Sequence, residues 1–207
     1  TGSLATVGHG LGVAPAMIII KNRSTTNGWE VYHQSLGNTK YMQLHTTSAE
    51  GTSATRWNNT SPTSTVFTVN TEGGVNSSGG NLIAYCFAEK QGYSKFGNYT
   101  GNGNNDGTFV YTGFKPAFVM LKNTTTAASW LMYDNKRLGY NVDNNELVAN
   151  TSAAEETYDQ IDILSNGFKM RANGTSTNKS GDTFIYMAFA SAPLVGGTGA
   201  GVPCTAR

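Results

Sequence analysis

Short apolar runs separated by polar turns are the dominant pattern of the chain. Residues 17–20 form one such run and residues 82–88 another, whereas residues 29–33 (Trp-Glu-Val-Tyr-His) alternate with the period of two that is typical of a β-strand. Turns rich in Gly, Asn, Ser and Thr lie between the runs. The pattern predicts an all-β protein, built as an antiparallel β-sandwich or jelly roll.

Helical periodicity is weak. Residues 152–160 are the best helical candidate, because two alanines and two glutamates follow Ser152, a residue type that caps helices. The matching residues 52–59 lack this tendency. We therefore expect a loop or a single turn in both places.

The chain contains an internal repeat. Residues 12–22 (GVAPAMIIIKN) match residues 113–123 (GFKPAFVMLKN) at a shift of 101 positions, and residues 82–88 match residues 184–190 at a shift of 102. Aromatic residues recur at the first shift: Trp29 with Trp130, Tyr32 with Tyr133, Trp57 with Tyr158, and Phe67 with Phe168. Because these features recur in one order, we predict two tandem copies of one β unit.

The repeat divides the chain into four parts. We expect a first β unit at residues 1–92, a bridging segment with an added strand at 93–112, a second β unit at 113–195 and a Gly-rich tail at 196–207. The second unit is preceded by a predicted strand that has no counterpart before the first. We therefore expect further protein to precede Thr1.

The last apolar run of each unit, residues 82–88 and residues 184–190, predicts a buried strand. Neither run alternates, which is typical of strands covered on both faces. We expect Trp29, Trp130, Phe87 and Phe189 to lie in the core, since each recurs in an apolar strand. A proline opens the first strand of each unit, at a position where a missing N–H is tolerated.

Charge is scarce and balanced. Charged residues make up 13% of the chain, against about 25% in typical soluble domains, and the net charge is +1. This composition indicates neither a nucleic-acid partner nor insertion into a membrane, and no apolar run approaches the roughly 18 residues of a membrane span. Cys86 and Cys204 are too few for a disulfide framework, so we expect free thiols.

A distinctive set of motifs runs through the first unit and the bridge. Its members are Gly12, Pro15, the triplet Lys21-Asn22-Arg23, Trp29, Tyr32, residues 57–59 (Trp-Asn-Asn), Tyr85, residues 87–89 (Phe-Ala-Glu) and residues 92–103 of the bridge. Together they resemble the repeated β domain of tail-fibre and other virion appendage proteins of marine bacteriophages. The resemblance covers nearly the whole chain.

The resemblance implies a concanavalin-like sandwich and a place on a virion. The chain would be a non-enzymatic structural or adhesive module of a phage tail fibre or appendage, assembled in the host cytoplasm. Its expected partners are further copies of itself, with a trimer favoured, and other virion proteins. Recognition of host-surface polysaccharide is an additional role that the resemblance leaves open. No catalytic residue comes with the family.

The sequence offers no clear catalytic or metal-binding constellation, so we predict no catalytic residue, no metal site and no cofactor. Asp159 and Asp162 are three positions apart, which puts them on opposite faces of a strand, and residues 155–156 are typical of a solvated turn. Residues 102–107 carry oxygen ligands before a glycine but lack the glutamate of a calcium loop, which favours a linker. The alternative function is a carbohydrate-active depolymerase, with carboxylates from different chains meeting at a subunit interface.

Trp57 and Tyr158 are the candidate glycan-binding residues. Both lie in polar segments, where an exposed ring stacks well on a sugar, although a loop aromatic also commonly pins its loop to the core. Tyr93, Phe96 and Tyr99 in the bridge leave two alternatives open. They anchor a contact between subunits, or they fold back onto their own unit.

Overall fold

Nearly every apolar run of the sequence forms a β-strand in the computed structural model, which describes residues 1–137, 141 and 145–192. The chain divides into two compact units, Thr1–Ala88 and Glu89–Arg207. The tail predicted at residues 196–207, with Cys204, lies outside the described residues.

The first unit contains seven strands and two single-turn helices. In chain order they are β1 (Ala5–Gly8), β2 (Met17–Asn22), β3 (Trp29–His33), β4 (Lys40–Gln43), β5 (Gly51–Thr52), α1 (Ala54–Trp57), β6 (Val66–Val69), α2 (Gly73–Asn76) and β7 (Leu82–Phe87). Five strands form one antiparallel sheet in the order β5-β4-β3-β2-β7, and β1 pairs with β6.

The second unit contains nine strands within its described residues. They are β8 (Ser94–Thr100), β9 (Phe109–Tyr111), β10 (Pro116–Asn123), β11 (Trp130–Asp134), β12 (Asn145–Val148), β13 (Glu156–Thr157), β14 (Ile161–Leu164), β15 (Gly167–Met170) and β16 (Thr183–Ala190). One antiparallel sheet has the order β13-β12-β11-β10-β16-β8, and the other has the order β14-β15-β9. The predicted all-β sandwich is confirmed.

The strand orders of the two units correspond. The series β5-β4-β3-β2-β7 has the same succession along the chain as β13-β12-β11-β10-β16, and the pair β1-β6 matches β9-β15. Registers correspond as well: Ile18 pairs with Tyr32 and with Cys86, as Val119 pairs with Tyr133 and with Ala188. That the two units share one three-dimensional fold stays a prediction.

The bridging segment differs from the expectation. The structure places the division after Ala88 rather than after residue 92, and the bridge contributes two strands instead of one. β8 pairs with β16 and β9 pairs with β15, so both belong to the sheets of the second unit.

Each unit has its own apolar core. In the first, Ile18, Ile20, Phe67 and Val69 pack between the sheets. In the second, the core comprises Val119, Leu121, Leu131, Ile161, Phe168, Met170, Phe184 and Tyr186, with further residues around them. Trp130 is buried as predicted.

The core predictions for Trp29, Phe87 and Phe189 are wrong, because these side chains are only half-buried. Each lies near the end of its strand, where neighbouring strands cover one side. Trp29 stacks on Tyr85 at 6.3 Å between ring centroids, and Phe189 contacts Phe118 at 6.4 Å. These rings therefore pack on the flanks of the sheets.

The two closing strands differ in burial. β16 is buried along most of its length, as predicted, whereas β7 is largely exposed. β16 lies between β10 and β8, but β7 is the last strand of its sheet. The prediction of burial on both faces is therefore wrong for β7, because Ile83 and Tyr85, which share one face of the strand, are exposed.

Phe168→Ala should cost about 3–5 kcal/mol of unfolding free energy, as for other fully buried phenylalanines. Phe168 has no exposed surface, and its ring meets Tyr186 at 5.3 Å and Tyr99 at 6.2 Å. Urea unfolding measures the loss. The control is Phe109→Ala on β9, where the side chain is exposed, so it should cost at most about 0.5 kcal/mol of unfolding free energy. Equal losses for the two variants would contradict the described core.

Candidate functional site

Trp57 lies in the core of the first unit, not on its surface. It ends α1, and its side chain is only 2% exposed. The ring packs edge-on against Tyr32 with centroids 5.9 Å apart, and its Nε1–H donates to the carbonyl of Lys40 at 3.0 Å. The prediction that Trp57 offers its ring to a glycan is therefore wrong, because both the ring and its N–H are used inside the unit.

A buried ion pair next to Trp57 was missed by the sequence reasoning. Arg56 Nε donates to Glu30 Oε2 at 2.7 Å, and the guanidinium carbon lies 3.4 Å from the centroid of the Tyr41 ring. Gln43 Nε2 donates to Glu30 Oε1 at 2.9 Å. A buried charge is tolerated when it is paired and hydrogen-bonded. The cluster therefore holds α1 against β3. In the sequence, it is indicated only by Glu30, an acidic residue within an apolar strand.

Tyr158 lies on the surface of the second unit, as expected for a stacking residue. It follows β13, the edge strand of the six-stranded sheet, and its side chain is 46% exposed. A hydrogen bond to Glu156 and the charge of that carboxylate raise the pKa of Tyr158 above its ordinary value. Part of the ring surface therefore faces solvent. Glycan binding by Tyr158 stays a prediction.

Two carboxylates meet beside Tyr158. Glu146 on β12 and Glu156 on β13 are direct cross-strand partners, which places their Cβ atoms roughly 4.5–5.5 Å apart. Glu146 is buried and accepts hydrogen bonds from the Tyr133 hydroxyl and, at 2.8 Å, from Gln160 Nε2. Burial raises the pKa of Glu146, the Tyr133 hydrogen bond opposes that rise, and the charge of Glu156 adds to it.

We call Glu146, Glu156, Tyr158 and Gln160 the Tyr158 cluster. It combines an exposed aromatic ring with carboxylate and amide groups, and Thr157 Oγ1 beside it donates to Asn145 Oδ1 at 3.0 Å. Residues 155–156 are solvent-exposed as expected, but the turn expected there is corrected at Glu156, which begins β13. The sequence did not reveal the carboxylate pair, since ten positions separate its members and only the pairing of β12 with β13 brings them together.

The bridge aromatics fold back onto their own unit. Tyr99 stacks on Phe184 with centroids 4.9 Å apart, and Phe96 meets Phe189 edge-on at 6.1 Å. Phe96 and Tyr99 are buried, whereas Tyr93 is exposed and contacts Phe189 at 5.9 Å. Of the two alternatives left open by the sequence, the structure favours packing within the unit.

Residues 102–107 form a hydrogen-bonded turn. Asn178 Nδ2 donates to Asn102 Oδ1 at 2.7 Å, and Asn102 Oδ1 also accepts from the Asn104 backbone at 3.0 Å. The carboxylate of Asp106 binds Lys169, and this contact holds the pKa of Asp106 below its usual range. The one acidic group of the loop is therefore already paired.

Across residues 1–137, 141 and 145–192, no three His, Cys, Asp or Glu side chains cluster in a way that could hold a metal ion. Cys86, as expected, is a free thiol, and its partial burial raises its pKa. No helix in this part of the chain has the length and apolar character needed to cross a membrane.

Comparison with known families gives one match. The profile of a domain of unknown function, DUF7483, matches residues 1–193. The chain belongs to the DUF7483 family. The match spans both units, and therefore includes β7, β8 and the Tyr158 cluster. No curated protein and no solved structure matches the chain.

The free energy of unfolding of the Glu146→Gln variant should rise relative to that of the unsubstituted chain as pH rises from about 4 to about 7. Folding raises the pKa of Glu146. The stabilisation that Glu146 contributes is therefore complete at pH values below its pKa in the unfolded chain, and it is lost as pH rises through its pKa in the folded chain. Glutamine does not titrate and avoids this loss. Urea unfolding at both pH values measures the difference.

The matched control is Asp159→Asn, which removes an exposed acidic group in the same region. Its effect on the free energy of unfolding reports the change of net charge alone. If the free energy of unfolding of the Glu146→Gln variant instead falls relative to the unsubstituted chain at the higher pH, the raised pKa of Glu146 is contradicted.

Proposed function

We propose that this DUF7483 domain is a non-enzymatic structural and adhesive module of a phage virion, part of a tail fibre or another appendage. Three features support the proposal. The chain is an all-β sandwich, its surface is polar but poor in charge, and its motifs resemble repeated domains of phage appendage proteins. A sandwich of this kind serves well as a rigid spacer that carries recognition groups at its edges.

The observation that carries the adhesive part is the exposed Tyr158 beside Glu156. The C–H face of a sugar ring is apolar and packs on an aromatic ring, while its hydroxyls donate to carboxylates. Tyr158 provides the ring, and Glu156 provides the acceptor, at an edge strand that an extended polysaccharide can reach. The ligand class we assign is host-surface polysaccharide.

The module acts in this proposal as a homo-oligomer, with a trimer favoured, together with other virion proteins. The near-zero net charge of +1 leaves little repulsion between copies. The buried positions of Phe96 and Tyr99 remove them as contact residues, which leaves exposed rings such as Tyr85 and Tyr111 for that role.

Hydrolysis of polysaccharide is the second candidate function, because Glu146 and Glu156 are cross-strand partners. Glycosidases use two carboxyl groups, one of which has a raised pKa and acts as the acid. The pKa of Glu146 is raised. However, Glu146 is buried and already accepts two hydrogen bonds, so binding is the better-supported role.

Tyr158→Ala should weaken binding to a bacterial surface polysaccharide about tenfold, because one stacking contact is worth about 1.4 kcal/mol. Isothermal titration calorimetry against a panel of such polysaccharides measures the change. Tyr158→Phe keeps the ring, and Phe109→Ala removes a different exposed ring, on β9.

Both control variants should retain most of the affinity. Full affinity in Tyr158→Ala would contradict the adhesive site. Release of saccharide fragments at a steady rate, lost in Glu156→Gln, would favour the hydrolytic function over the adhesive one.

The isolated chain should sediment as an oligomer at high micromolar concentration, with a trimer as the expected species. Weak edge and surface contacts need such concentrations to populate the assembly. Analytical ultracentrifugation gives the mass directly against the 22.0 kDa of one chain. A single species of monomer mass would contradict self-association of this domain.

A further inference from the structure

The outer edge of β7 has the features of a surface that accepts another strand. No strand within the described residues pairs with this edge, and residues 82–87 (LIAYCF) contain no charge and no proline. Natural edge strands usually carry charged residues or proline, which prevent pairing with another chain. Ile83 and Tyr85 are also exposed, at 36% and 44%. A strand of this kind is the type that pairs readily when a partner is present.

The pairing with β2 determines which backbone groups of β7 point outward. The backbone N–H of Arg23 donates to the Asn81 carbonyl at 2.7 Å, so the odd-numbered residues face β2. Successive residues of a strand direct their N–H and C=O groups to opposite sides. Leu82, Ala84 and Cys86 therefore direct theirs away from β2, along the outer edge.

An apolar cleft of 360 Å³ lies beside this edge. It separates β7 from the β1-β6 pair within the first unit. Its apolar lining includes Ala5, Val7, Phe67, Val69, Leu82 and Ala84. The cleft therefore opens toward the interior between the two sheets, and a strand added to β7 would turn alternate side chains into it.

In the second unit, β8 occupies the position that corresponds to the outer edge of β7. β8 lies along β16 from Ser94 to Thr100, and the pairing uses the backbone of Phe184, Tyr186 and Ala188. At the repeat shift of 102 positions, these three residues correspond to Leu82, Ala84 and Cys86. The outward backbone groups of β7 face no described strand, whereas their counterparts on β16 bind β8.

Tyr99 of β8 fills the space between the sheets of the second unit. It stacks on Phe184, meets Phe168 edge-on, and its hydroxyl contacts the sulfur of Met170 at 3.5 Å. The matching residues of the first unit are Leu82, Phe67 and Val69, and all three line the cleft. The cleft is therefore the counterpart of the Tyr99 position.

We propose that the first unit binds an extended peptide strand, of the chemistry of β8, along the outer edge of β7. The peptide runs antiparallel to β7 and places an aromatic side chain opposite Leu82, inside the cleft. Main-chain hydrogen bonds to Leu82, Ala84 and Cys86 supply affinity, and the cleft supplies specificity for the aromatic residue. Strand binding at this edge does not depend on the virion role.

A second copy of β7 is a poorer occupant of the same edge. The residues of β7 that face the interior are Leu82, Ala84 and Cys86, and none of these is aromatic. Two β7 edges paired with each other would satisfy the backbone but leave the cleft without the ring that Tyr99 provides in the second unit. The shape and apolar lining of the cleft therefore favour a β8-type strand.

The test uses the full chain and a synthetic peptide with the sequence of residues 92–102 (GYSKFGNYTGN). We expect saturable binding, with slower hydrogen exchange at the amides of Leu82, Ala84 and Cys86 in NMR spectra. A matched peptide with Tyr99→Ser should bind about tenfold more weakly or worse, because it lacks the ring for the cleft.

Two variants of the chain locate the site. Ala84→Lys places a charge at the cleft and should abolish peptide binding, as edge lysines do. Ile83→Lys adds the same charge on the opposite face of β7 and should leave binding within about threefold of the unsubstituted chain. Circular dichroism checks that both variants are folded, and the exchange measurement on the unsubstituted chain tests the site even if a variant is not.

Three results would overturn the proposal. The first is peptide binding that Ala84→Lys leaves unchanged. The second is slowed exchange on β16 rather than β7, which would mean that the peptide replaces β8 in the second unit. The third is a dimer in which the amides of β7 are already protected without peptide, which would make a second copy the occupant.

Discussion

The pairing of one buried apolar strand on both of its sides is the constraint on which each unit depends. β2 lies between β3 and β7, and β10 lies between β11 and β16. Water cannot satisfy the backbone of such a strand, so its N–H and C=O groups must bond to neighbouring strands. Every other strand of the large sheets takes its position from this arrangement.

The polar residues that end these central strands organise the loops around them. Asn22 is fully buried, and its Nδ2 donates to the Gly73 carbonyl at 2.9 Å. Asn123, also fully buried, donates to the Thr175 carbonyl and to Asp182 Oδ2, both at 2.8 Å. A buried amide without partners costs about 1–3 kcal/mol. The recurrence of asparagine after the apolar run therefore has a structural reason: it joins the sheet to a distant segment, which is the start of α2 in the first unit and a turn in the second.

The units differ most where function is assigned. The second unit closes one sheet edge with β8 and carries the Tyr158 cluster at the other, on β13. The first unit uses α1 to bury Trp57 and the Glu30–Arg56 pair, and ends its sheet with β7. Similar strand orders thus support different edges, and edges are where a sandwich meets its partners.

Strand content and the order of the main elements follow from the amino-acid sequence alone. Runs such as residues 17–20 and the alternation at residues 29–33 are local properties, so periodicity was enough to predict β2 and β3. These predictions depend on neighbours along the chain, and a single sequence contains that information.

Which of two matching residues is buried depends on the packing of the folded chain. Trp57 and Tyr158 match in the repeat, yet the first is buried beside Tyr32 and the second is exposed beside Glu156. β7 and β16 are equally apolar, yet only β16 has a strand on each side. The carboxylate pair of Glu146 and Glu156 arises from the pairing of β12 with β13. Burial and proximity depend on residues far apart in the chain, and no local pattern records them.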